Sequence, residues 1–148
     1  MEQSDIALMS EELIVLDTQV ANKDEAICAL ASTIAQAGRL HKLDAFIHNV
    51  QAREAEFSTA IGFGIASPHA KSDSVVHPTL ACMRLAKPID WSGEEVSLIF
   101  MIAVPTQDAG ERHLQILAGI ARRIMHEEFR TRLFTASTAA ELMQLMSE

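Results

Sequence analysis

A single α/β domain spanning residues 1–148, a small mixed β-sheet flanked by helices on both faces, is the fold class the sequence predicts. Three observations carry it. Short β-branched and apolar runs alternate with segments of helical periodicity along the whole chain. The run VSLIFMIAV at 96–104 is apolar at nearly every position, as suits a central strand covered on both faces. The length of 148 residues fits one domain with a core of its own, and no repeat, low-complexity segment or linker divides it.

The elements follow in order. LIVLD at 13–17 is short, apolar and β-branched, and reads as the first strand. Asn22 stands three residues before Glu25, a capping-box-like start. Ala26, Ile27, Leu30, Ala31 and Ile34 then recur at helical spacing, and Gly38 closes the run. A second helix is expected from about Leu43 to Ala55, with Leu43, Phe46, Ile47 and Val50 on its apolar face. At about 100° per residue, Glu54 falls on that face and Arg53 on its Phe46 flank. Two charges at the end of a buried stripe need partners. His48 falls nearly opposite, in solvent. STAIGFGIA at 58–66 reads as a short strand whose glycines admit other backbone closely, and PTLACMRLA at 78–86 as another strand. PIDWSGEE at 88–95 is turn-rich and reads as a connection to the central strand, which Pro105 stops. Asp108 precedes Glu111 by three, which starts a helix running from Ala109 to about Met125. EEFRTRLFTA and STAAELMQLMSE supply two more helical pieces, the second capped by Ser137 or Thr138.

Composition removes several classes of function. The net charge of −8 argues against a surface that tracks nucleic-acid phosphates or binds an anionic membrane. Aromatic residues make up 5%, with one Trp and no Tyr, too few for stacking platforms. Cys28 and Cys82 form neither a CxxC pair nor a metal-binding spacing and read as buried free thiols, the pattern of a cytoplasmic protein. The start, MEQSDIALMSEEL, carries acids where a signal peptide needs basic residues. The longest strongly apolar stretch, LIFMIAV at 98–104, is far short of a membrane span.

Motifs for nucleotide, metal and serine chemistry are missing. The sequence has no GxxxxGK[ST], HExxH or GxSxG, and GFG at 62–64 runs into Pro68 rather than completing a dinucleotide turn. No cofactor and no metal are therefore expected. Of six histidines, His41, His48, His77 and His126 read as ordinary surface residues. His69 stands apart. It follows an apolar run at the point where strands of α/β sheets present ligands, and Pro68 stiffens the approach to it. His113 falls in the first turn of the helix after the central strand, where a helix N-terminus favours anions such as phosphate. Arg53 offers a planar guanidinium suited to phosphate oxygens, or an internal pair with a carboxylate.

Three blocks, RE at 53–54, STAIGFGIASPH at 58–69 and ERHLQILAGIARRI at 111–124, follow one another in order along the chain. Together they resemble the enzyme IIA domain of the bacterial sugar phosphotransferase system, in its fructose/mannitol-type family. The resemblance implies a phosphotransferase component in which His69 accepts a phosphoryl group, as a tele-phosphohistidine. Arg53 and His113 would flank and stabilise it. The implied donor is phospho-HPr or an HPr-like protein. The implied acceptor is a cysteine of an enzyme IIB domain, peripheral to a membrane-embedded enzyme IIC, with no metal or nucleotide at the step. The depression around His69 is expected to be shallow and accessible, with an apolar rim for partners. Nitrogen-type relatives share the motif and act by binding target proteins according to phosphorylation state, which is the alternative role. A metal-dependent hydrolase built on His69 and His113 is a weaker third reading. Two residues depart from the pattern. Ser67 stands where Ile, Val or Leu is usual, and either donates to the phosphoryl or faces away. Ala70 stands where Gly is frequent, which bears on the backbone around the phosphate.

Overall fold

The computed structural model describes residues 7–107 and 112–147, with only the backbone of Arg112 and His113. The helix start expected at Asp108 and Glu111 lies outside the described residues. In chain order the elements are β1 (Ile14–Thr18), α1 (Lys23–Gln36), α2 (Leu43–Glu56), β2 (Ala60–Gly62), β3 (Ile65–Ala66), β4 (His69–Ser72), β5 (Thr79–Trp91) and β6 (Glu94–Pro105). Three helices follow: α3 (Arg112–Arg123), α4 (Glu127–Thr135) and α5 (Ala139–Ser147).

The helix boundaries follow from local chemistry. Asn22 Oδ1 accepts the Glu25 N–H at 2.9 Å, and the Glu25 carboxylate accepts the Ala21 N–H. At the other end of α1, Gly38 takes a φ of 78°, donating to Ala35 O at 2.9 Å while Arg39 donates to Ile34 O at 3.3 Å. Both last-turn carbonyls are thereby satisfied. Helix α5 repeats the start: Thr138 Oγ1 accepts the Glu141 N–H at 3.1 Å and Glu141 accepts the Ser137 N–H at 3.0 Å. Of the two candidate caps, Thr138 is the one used.

The strands form a mixed six-stranded sheet in the order β1-β5-β6-β3-β2, with β4 also on β6. β6 is the central strand. It pairs antiparallel with β5 and parallel with β3 and β4. Helices α1 and α2 cover one face, where Ile27, Leu30, Ile34, Phe46 and Val50 pack against Met83, Ile99 and Met101. Helices α3 to α5 cover the other, where Ile120, Ile124, Leu133 and Leu142 pack against Cys82, Leu98, Phe100 and Ile102. The alternation of β6 side chains between these two cores explains its continuous apolar sequence.

Three sequence-based expectations change. Residues 58–66 form a tight hairpin of β2 and β3 rather than one strand. The turn runs through Gly62, Phe63 and Gly64 with φ of 94°, 60° and 79°. Both glycines serve a left-handed turn; a Cβ at Gly62 would meet nothing within 4 Å, whereas at Gly64 the backbone of β6 does come close, with Glu95 O 3.9 Å from where a Cβ would stand. Residues 88–91 are strand, since β5 absorbs Pro88 in a register shift between Arg84 and Ile89 and turns only at Ser92-Gly93. Finally, Cys82 is buried but Cys28 only half-buried.

Candidate functional site

His69 is not at the end of a strand, as its sequence context suggested, but opens the second half of an interrupted one. Ala66 lies opposite Ile99 and His69 opposite Ile102, so the register on β6 is kept across the gap. Pro68 has no N–H to give, and its carbonyl accepts the Ile102 N–H at 3.1 Å. Ser67 turns its N–H the other way, to Thr59 O at 2.9 Å. The Ser67 carbonyl then faces the imidazole, and His69 Nδ1 lies 2.9 Å from it. A carbonyl oxygen can only accept, so Nδ1 carries the proton and the lone pair of the neutral ring is on Nε2.

Helix α2 supplies two adjacent charges with opposite fates. Glu54 is buried on the apolar face, as its phase predicts, and four donors surround its carboxylate. Trp91 Nε1 and Thr59 N lie at 3.0 Å from Oε2, Thr59 Oγ1 at 2.6 Å from Oε1, and Lys23 Nζ at 3.4 Å from Oε2. Arg53 is half-buried. Its Nη1 donates to Phe57 O at 3.0 Å, so the internal pair with Glu54 is not formed.

Arg53 and His69 meet in one cavity of about 430 Å³, which Asn49, Ala52, Glu56, Ala70, Lys71 and Leu114 complete. His69 is only 7% exposed, so the site is a recess with most of the ring covered rather than an openly accessible depression. A large exposed apolar side chain, Leu114, stands in the lining. His113 lies in the first turn of α3, next to Leu114, and its side chain is outside the described residues.

The open question at Ser67 is answered by its hydroxyl, which points inward and lies 3.4 Å from Thr59 O. Ala70 is buried in strand β4 opposite Ala103 and is not among the residues of positive φ, so the methyl group needs no glycine conformation. Sequence reasoning missed Asn49 and Glu56 as lining residues. Asn49 lies four residues before Arg53 on α2, the spacing that shares a helix face. Its side chain is held by Ser72 Oγ, 2.6 Å from Oδ1.

Comparison with known proteins bears on the fold and the family. The fold is shared with nitrogen regulatory protein IIA-Ntr from Neisseria meningitidis, at a TM-score of 0.85 and 29% identity over 94% of this chain and 96% of that one. The fructose-specific EIIA component of the phosphotransferase system of Haloferax volcanii is 39% identical over 152 residues, covering 100% of this chain and 98% of that protein. Multiphosphoryl transfer protein 2 of Escherichia coli K12 is 37% identical over 149 residues, 99% of this chain but 18% of that protein. The chain thus spans under a fifth of that relative's length. Fold and relatives define the class, a component of a phosphotransferase system. Residues 7–148 match the family model described as phosphoenolpyruvate-dependent sugar phosphotransferase system, EIIA 2, and the chain belongs to that family.

Proposed function

We propose that residues 1–148 act as one phosphocarrier unit of a sugar phosphotransferase system, taking a phosphoryl group onto His69 from phospho-HPr or an HPr-like donor. It then passes the group to a cysteine of a cognate enzyme IIB domain, coupling sugar uptake to sugar phosphorylation. The observation that carries this reading is the bond from His69 Nδ1 to the Ser67 carbonyl, in a recess shared with Arg53.

In the first transfer the Nε2 lone pair attacks phosphorus. The bond from phosphorus to the donor nitrogen breaks, and its electron pair returns to the donor imidazole. Nδ1 keeps its proton throughout, so the phosphorylated ring is cationic and the Ser67 carbonyl stabilises it. In the second transfer a cysteine thiolate attacks phosphorus, and the electron pair of the P–N bond returns to Nε2. Little covalent work is left to the protein, and the step depends on positioning and charge. The Arg53 guanidinium serves the phosphoryl oxygens, and His113, at the N-terminal turn of α3, serves them from the opposite helix. Leu114 contributes to the apolar rim on which partners dock. The working compartment is the cytoplasm, beside a membrane-embedded enzyme IIC. No helix among the described residues is long and apolar enough to cross a membrane.

The likeness to a nitrogen regulatory protein supports a second reading, in which the phosphorylation state of His69 governs binding to target proteins. The higher identity to a fructose-specific component favours transport. Reconstitution with enzyme I, HPr and radiolabelled phosphoenolpyruvate tests both. The protein is expected to take one acid-labile label that is lost in His69→Ala and chased onto enzyme IIB. Full labelling of His69→Ala would remove His69 from the role. Labelling without any chase onto a panel of enzyme IIB domains would select the regulatory reading.

A further inference from the structure

Glu54 and Thr59 form a chain of contacts that ends on the reactive imidazole. The Glu54 carboxylate holds Thr59 by both its N–H and its hydroxyl, at 3.0 and 2.6 Å. The Thr59 carbonyl accepts the Ser67 N–H at 2.9 Å, with the Ser67 hydroxyl 3.4 Å away. The Ser67 carbonyl accepts Nδ1–H of His69 at 2.9 Å. Every link is buried: Glu54, Thr59, Ser67 and His69 are each under a tenth exposed. Behind Glu54 stand Trp91 Nε1 and Lys23 Nζ, so the carboxylate is tied to the β5–β6 hairpin and to α1 as well. Residue 54 adjoins Arg53, so one short stretch of α2 brings a guanidinium to the recess and braces the support of the imidazole from behind.

We infer that Glu54, acting through Thr59, is a positioning residue: it fixes the Ser67 carbonyl and thereby holds His69 in the Nδ1–H tautomer, which selects Nε2 as the nucleophile. This deepens the phosphocarrier reading and rests on it for its consequence, though not for its geometry. A loosened Thr59 frees the Ser67 peptide to rotate. The ring then populates the Nε2–H tautomer, whose lone pair lies on Nδ1. Attack through Nδ1 would form the other phosphohistidine isomer, on the nitrogen that the Ser67 carbonyl occupies in this structure.

The test compares Thr59→Val, which keeps size and backbone, with Glu54→Gln, Thr59→Ser and Trp91→Phe. Imidazole ¹⁵N shifts of His69 give the tautomer. Phosphoramidate, a small donor that needs no docking surface, gives the isomer formed. Transfer from phospho-HPr gives the rate. Wild type is expected to show the Nδ1–H tautomer and the Nε2 isomer alone. Thr59→Val and Glu54→Gln should show mixed tautomers, some Nδ1 isomer and a rate lower by about tenfold, the scale of a modest misplacement of a reacting group. Thr59→Ser should restore all three. Trp91→Phe, which removes a donor behind Glu54, should lower stability with the tautomer unchanged. Wild-type tautomer and isomer in Thr59→Val and Glu54→Gln would overturn the inference. Failure of wild type to accept label from phospho-HPr would instead overturn the phosphocarrier reading, and the ¹⁵N shifts would still decide the role of Glu54.

Discussion

On the α1–α2 face of the sheet, the buried carboxylate of Glu54 gathers donors from α1, β5 and the segment before β2, and the chain of contacts continues to His69. On the α3–α5 face, the buried guanidinium of Arg84 donates to the carbonyls of Leu133 and Ala136, at 3.0 and 2.7 Å, and meets Asp17 at 3.3 Å. Both groups would be costly to bury alone, and both are satisfied. The difference lies in what they satisfy. Arg84 closes the C-terminal end of α4 and stops there. Arg123 does the same for α5, donating to Met146 O and Leu145 O. The two faces therefore teach that satisfied buried charges differ in what they reach: one network ends on the imidazole of the proposed phosphoryl acceptor, the other on helix-end carbonyls.

That contrast can be broken by substitution. The largest effect is expected from Arg53→Ala, on the functional face. Transfer to His69 should slow by roughly 100-fold, the scale seen when one preorganised donor to a developing charge is lost, with little change in Tm. A wild-type transfer rate in this variant would take Arg53 out of the site. Arg84→Met should do the reverse. It leaves two buried carbonyls without a donor, at about 3 kcal/mol, or roughly 10 °C in Tm, and at temperatures where the fold persists the transfer rate should be unchanged. Slowed transfer there would show that the architectural face is coupled to the chemistry after all.

The smallest effect concerns Cys82, in the apolar core of the α3–α5 face. Burial raises its thiol from 9.0 to about 12, and neighbouring Arg84 opposes only part of that rise. The folded state therefore holds this proton more tightly than the unfolded state. The thiol's contribution to stability is intact below about pH 9 and is lost as pH rises toward 12. Urea unfolding at pH 8 and pH 10.5 should show a shallower loss in Cys82→Ala than in wild type. In native protein, iodoacetamide should modify the half-buried Cys28 and spare Cys82.

What the sequence disclosed depended on the range of the interaction. The caps at Asn22 and Gly38 and the burial of Glu54 are set within one or two helical turns, and all three are legible from spacing. The hairpin at Gly62–Gly64 is not, because glycine serves close packing and left-handed turns alike, and only the backbone at Phe63 shows the turn. Strand β5 continues through Pro88 because a bulge accommodates the missing donor, and a bulge leaves no local mark. His69 and Arg53 could be singled out by residue type and by family resemblance. Their partners, the Ser67 carbonyl and the Phe57 carbonyl, are main-chain atoms that no side-chain pattern encodes. The bond between Glu54 and Trp91 spans 37 residues and connects an apolar stripe to a segment that reads as a turn.

The interrupted strand has a consequence for how the histidine is held. Because β3 and β4 keep one register on β6, the mount of the histidine is written in main-chain bonds on both sides of the gap. Within the gap the Ser67 hydroxyl is turned inward, and beyond it Ala70 sits on the β6 ladder opposite Ala103, so neither departure from the family pattern breaks the register. What the ladder leaves unset is the Ser67 peptide between the two halves, and that is the part Glu54 and Thr59 hold.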